Sequence, residues 1–143
     1  MRRLVLMTGA AVGLAFAAVA GAQGSQTIYE GGFDGEPQSK VRVKVLEAED
    51  GKLFVTSLAA RRVDVTCEGG VTARIKKVVG RGRVRVGSHG AFRFANDDGE
   101  TLLKFSGEIG PPPAGKFRFS GKIDTGAAGR LQCDSGRLFW TSK

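Results

Sequence analysis

Lys40-Val41-Arg42-Val43-Lys44-Val45 alternates a cation with a valine without a break. Successive side chains of a β-strand point to opposite faces, so this run reads as a strand with valines turned to a core and cations turned to water. Arg83-Val84-Arg85-Val86 and Lys116-Phe117-Arg118-Phe119 obey the same rule, and no long segment carries the three-and-four spacing of a helix. Strands wet on one side belong to antiparallel sheets. The expected fold is all-β.

Outward from that run, glycines punctuate the chain. Nineteen fall among the 121 residues after position 22, against a usual share of about 7%. Asp50-Gly51 separates Leu46 from Leu53 and Val55, and Asp98-Gly99 separates Phe92 and Phe94 from Leu103 and Phe105. Aspartate followed by glycine is a strong hairpin signal, because both residues take positive φ at low cost. Eleven strands are expected, over 27–33, 39–48, 52–58, 61–67, 71–79, 83–87, 91–95, 101–109, 116–123, 128–133 and 137–141. That number of short strands in one chain predicts a single domain built as an antiparallel β-sandwich or a barrel-like sheet. Phe105-Ser106-Gly107-Glu108-Ile109 is echoed by Phe119-Ser120-Gly121-Lys122-Ile123 across Pro111, Pro112 and Pro113. These two segments are expected to pair as neighbours and to bring Glu108 near Lys122.

The 143-residue chain opens with Arg2 and Arg3, an apolar stretch from Leu4 to Ala20, and a small-residue end at Ala20-Gly21-Ala22. This is the order of a secretory signal peptide, with cleavage expected after Ala22 and residues 23–143 as the exported domain. Thr8, Gly9 and Gly13 interrupt the stretch, which falls short of the roughly 20 apolar residues of a spanning helix. No later run is apolar enough to span, so no stable membrane insertion is expected after cleavage. The two cysteines lie in matching segments, Thr66-Cys67-Glu68-Gly69-Gly70 and Gln132-Cys133-Asp134-Ser135-Gly136. In an oxidising compartment an even count implies a bridge, and two cysteines allow one intramolecular pairing, Cys67 to Cys133. Closing that loop is worth roughly 4 kcal/mol on the chain-entropy model.

Ile28-Tyr29 with Gly31 and Gly32, the Val41-Val43-Val45 strand, Cys67 with Gly70, the Phe-Ser-Gly segments, and Cys133, Ser135, Gly136 and Trp140 together resemble a group of small exported proteins typical of high-GC Gram-positive bacteria. The resemblance spans most of the chain after the leader. It implies secretion and the bridge. It implies no reaction, since that group carries no assigned activity.

No catalytic signature is present. His89, the only histidine, lies in Gly87-Ser88-His89-Gly90, and neighbouring Ser88 is poorly placed as a nucleophile, so an exposed turn is expected there. One histidine cannot supply a usual catalytic metal site, and Asn96-Asp97-Asp98-Gly99-Glu100 reads as a hairpin turn rather than a calcium loop. Neither a metal nor a cofactor is expected. Trp140 is expected in the core, on the bridge.

The cations are more organised. Overall charge is +8, and without Arg2 and Arg3 the remainder carries 20 Lys and Arg against 14 Asp and Glu, a net +6. Lys40, Arg42 and Lys44 share one strand face, Arg81, Arg83 and Arg85 another, and Lys116, Arg118 and Lys122 a third. If these rows lie on one sheet, they form a field for polyanions. The phenylalanines flanking Arg93 and Arg118, in Phe92-Arg93-Phe94 and Phe117-Arg118-Phe119, point to the opposite side, and export removes the usual nucleic-acid partner, so nucleic acid is not expected. The function expected is a monomeric, secreted structural or binding module at the cell envelope, with an anionic wall polymer or an acidic protein as partner. The alternative is a small secreted hydrolase with a carboxylate pair drawn from Glu47, Glu49, Asp64, Glu68, Asp124 and Asp134. A third possibility is an enzyme inhibitor presenting Pro111 to Pro113.

Overall fold

The alternation at 40–45 is realised in three dimensions: Val41, Val43 and Val45 are buried, Lys40 and Arg42 are exposed and Lys44 is half-buried. The computed structural model describes residues 24–143; the 1–22 leader and its cleavage point lie outside the described residues. Nine strands follow in order: β1 (Ser25–Phe33), β2 (Glu36–Glu47), β3 (Leu53–Cys67), β4 (Thr72–Arg85), β5 (Ala91–Asp97), β6 (Thr101–Glu108), β7 (Ala114–Asp124), β8 (Arg130–Asp134) and β9 (Leu138–Ser142). One 3-10 turn, Glu68–Gly70, joins β3 to β4. The hairpin turns at Gly51 and Gly99 have positive φ, as Asp-Gly turns require.

Nine strands replace the eleven expected, because two apparent breaks are continuous strand. The first lies in β3, where 52–58 and 61–67 read as separate. Arg62 adopts φ 57° and resets the alternation, so that Ala60 and Val63 both face inward while pairing with β4 continues on either side. The second lies in β4 at Gly80-Arg81-Gly82. These glycines do not turn the chain: a Cβ on Gly80 would stand 2.9 Å from Phe94 Cε1 and 3.2 Å from Leu103 Cδ2. Gly80 is glycine so that side chains from β5 and β6 can sit against the β4 backbone.

All pairings are antiparallel, in the order β4-β3-β2-β1-β9-β7-β6-β5, and β8 additionally pairs with both β3 and β7. The path β3-β2-β1-β9-β7-β8 returns to β3 as a ring of pairings; β2 and β8 share one edge of β3, and β8 and β9 share one edge of β7, so the ring outlines a split in the sheet and not the core. β4 continues the sheet beyond β3, and β6 and β5 continue it beyond β7. The two terminal strands meet through side chains, with Phe94 of β5 over the glycines of β4.

One core lies between the two walls of the curled sheet. Val41, Val43, Val45, Val55 and Leu58 enter from the β2–β3 wall; Phe92, Leu103, Phe105, Phe117, Phe119 and Trp140 enter from the opposite wall. Trp140, 1% exposed, stacks on Phe105 with centroids 4.9 Å apart and stands beside Phe92. Its indole Nε1 donates to the Ser106 carbonyl at 3.1 Å. The expected core position is observed, and the rings it meets come from β5 and β6.

Cys67 and Cys133 are direct cross-strand partners on β3 and β8 and are joined by a disulfide. The β3–β8 seam contains only that pair and Thr66 with Asp134. The bridge thus fastens the shortest seam of the ring.

Candidate polyanion-binding face

The outward residues of β2, β3 and β4 form one continuous surface, and cross-strand register determines which cations meet. Lys40 lies opposite Arg61, and Arg61 lies opposite Lys77. Four residues along β2, Lys44 lies opposite Ser57, and Ser57 opposite Arg81. Between these two rows, Arg42, Ala59 and Val79 stand side by side. Beyond a register shift between Val55 and Ser57, Arg85 lies opposite Phe54, and the Arg83 guanidinium carbon sits 4.1 Å from the Phe54 ring centroid. This cation–π contact holds Arg83 against the sheet. Lys40, Arg42, Lys44, Arg81, Arg83 and Arg85 therefore share one face of one sheet.

Arg61 and Lys77 complete that face, and sequence reading missed both. Each belongs to a doublet, Arg61-Arg62 and Lys76-Lys77, where strict alternation fails because the strands bend at Arg62. The doublets were the available signal.

Two cations, Arg42 on this face and Arg74 beyond it, are neutralised across the sheet. Arg42 Nη2 donates to Glu30 Oε2 at 2.6 Å, and Arg74 Nε donates to Asp64 Oδ1 at 2.6 Å; both pairs are directly in register. Lys40, Arg61 and Lys77 make no ion pair among the described residues. They line a groove of about 550 Å³ with Arg42 and Lys143, whose backbone N–H donates to the Glu30 carbonyl at 2.9 Å.

Lys116, Arg118 and Lys122 do not join this face. They lie on the outside of β7, across the shared core from β2–β4, and the outer surfaces of opposite walls point apart. Arg118 is also engaged, its Nη2 donating to Asp134 Oδ2 at 2.7 Å. The expected contact between Glu108 and Lys122 fails as well: Glu108 pairs with Ala114 and Lys122 with Gln132. The echoed segments are neighbours, but an antiparallel hairpin sends their equivalent positions to opposite ends.

The acids are mostly occupied. Hydrogen bonds from Arg74 and Arg118 hold the Asp64 and Asp134 carboxyls below their ordinary pKa. Asp98 accepts from the backbone N–H groups of Thr101 and Glu100, which lower its pKa within the hairpin turn expected there. Glu36 was not anticipated. Burial, with a smaller contribution from the Asp64 charge, raises its pKa, and its Oε1 is buried with no hydrogen-bond partner among the described residues. Glu36 and Asp64 line a pocket of about 180 Å³ with Arg62 and Arg74.

His89 and Ser88 are exposed in the turn between β4 and β5. Pro113 is buried and its carbonyl accepts from Ser142 N–H at 2.8 Å, leaving only Pro111 and Pro112 projecting. Among the described residues no three His, Cys, Asp or Glu side chains gather to hold a metal, and no helix is long and apolar enough to cross a membrane. The disulfide fits an oxidising environment. No family model matches the chain, nor does any curated protein or solved structure.

Proposed function

We propose that this protein is an exported binding module of the cell envelope that holds a polyanion on the outer face of β2, β3 and β4. One observation carries the reading: two cationic rows that are distant in sequence, Lys40-Arg42-Lys44 and Arg81-Arg83-Arg85, lie on one sheet face with Arg61 and Lys77 filling in between. A surface of one sign attracts and orients an anionic chain before contact. The leader-like residues 1–22 and the disulfide support export.

Binding of inorganic polyphosphate by the protein tests the reading. A charge-led contact weakens as ions screen it, so affinity should fall at least about tenfold between low salt and about 0.5 M salt. Affinity unchanged across that range, or no binding at low salt, rejects it.

A second reading, a hydrolase acting on glycans, draws on Glu36 and Asp64, whose pKa values move in opposite directions within one pocket. Such a split is what acid and base roles need. Release of reducing ends from an envelope glycan, abolished by Glu36→Gln, would favour it over the binding module.

A further inference from the structure

Some directly opposed neighbours on this sheet are matched in sign. Arg42 faces Glu30 and Arg74 faces Asp64, each pair in direct register. Lys40, Arg61 and Lys77 place three like charges opposite one another across two ladders with no ion-pair partner among the described residues, whereas in the like-charged pair Lys104–Arg118 the arginine is engaged by Asp134. Directly opposed side chains on neighbouring strands have Cβ atoms about 5 Å apart, and like charges there repel. Such an arrangement is relieved by an anion in the groove above it.

We propose that the Lys40-Arg61-Lys77 row is a phosphate-selective subsite, where the terminal phosphate of a polyphosphate chain docks. The proposal rests on the polyanion reading of this face and adds the class of anion. Selectivity follows from the order of side chains. Arg61, in the middle, presents a planar fork that engages two oxygens of an oxyanion. A carboxylate has only two oxygens and is satisfied by that fork. A terminal phosphate has a third non-bridging oxygen, and Lys40 and Lys77 stand on either side of the fork to meet it. Along the strands, Arg42, which is engaged by Glu30, neutral Ala59 and exposed Val79 separate this row from Lys44 and Arg81. The polymer would thus cross a row whose one cation is already neutralised before its next anionic group.

Calorimetric titration with inorganic polyphosphate, poly-glutamate of matched charge, and phosphatidylglycerol vesicles tests the subsite. Lys40→Gln/Lys77→Gln and Lys44→Gln/Arg81→Gln each remove two cations from the same face, and circular dichroism checks that both variants are folded. The first pair should weaken polyphosphate binding at least about tenfold, the second less than about threefold. Wild-type protein should prefer polyphosphate to poly-glutamate by about tenfold or more. Equal losses in the two variants overturn the subsite while leaving the polyanion face standing. Equal affinity for poly-glutamate overturns the phosphate preference, and vesicles bound as tightly as polyphosphate reassign the groove to a membrane surface. Failure of every polyanion to bind removes the reading on which the subsite rests.

Discussion

Ser39 shows how one side chain sets a strand junction. It is buried, its Oγ accepts from the Phe33 N–H at 2.8 Å and donates to the Glu36 carbonyl at 2.7 Å, and it does so where β1 and β2 slip register. Ser39→Ala strands the Phe33 N–H away from water and should cost about 1–3 kcal/mol in chemical denaturation. An unchanged midpoint would mean that water reaches that amide. Titration of the acids has two opposite signs. Asp64 and Asp134 have lowered pKa values, so their contribution is present above the unfolded value of 3.8 and is lost as pH falls through the folded values. Glu36 has a raised pKa, so its contribution is present below 4.5 and is lost as pH rises through the folded value. Glu36→Gln should therefore raise the melting temperature at neutral pH, and the gain should vanish below about pH 4. A gain of equal size at both pH values would refute the assignment to ionised Glu36.

At the scale of elements, β4 was the least legible strand. Its Gly80-Arg81-Gly82 segment carries the local signal of a turn, and only the approach of Phe94 and Leu103 makes it strand. Gly80→Ala should destabilise the fold by about 1–3 kcal/mol through overpacking. Gly82→Ala, whose Cβ would stand 3.4 Å from Phe94, should be tolerated, and equal melting temperatures for the two variants would show that the glycines serve the backbone instead. The hairpins at 50–51 and 98–99 were legible because an Asp-Gly turn needs only its own two residues. Of the candidate site, Lys40, Arg42, Lys44, Arg81, Arg83 and Arg85 were legible from period-two alternation. Arg61 and Lys77 were not, because the bend at Arg62 hides which of two adjacent cations faces outward. Grouping Lys116 and Arg118 with them failed for a related reason: alternation tells inside from outside, but not which wall a strand belongs to.

At the scale of the molecule, the ring closes where β8 joins β3 by two residue pairs and one disulfide. Replacing both cysteines with serine should lower stability by about 2–5 kcal/mol. The loss should be uneven, with amide exchange accelerating first in β8 and in the 120–124 part of β7 that pairs with it. A uniform acceleration would show that the bridge acts only on the unfolded chain. From the sequence alone came the all-β class, the cationic outer faces, most of the turns and the cysteine pairing, because period-two alternation, Asp-Gly turns and a count of two are local or exhaustive properties. Closure of the ring, the meeting of Lys40 with Arg61 and Lys77, and the separation of the β7 cations were decided by tertiary structure. Those depend on register and strand order, and a one-residue slip or a bulge anywhere along the ladder exchanges the face that each side chain occupies.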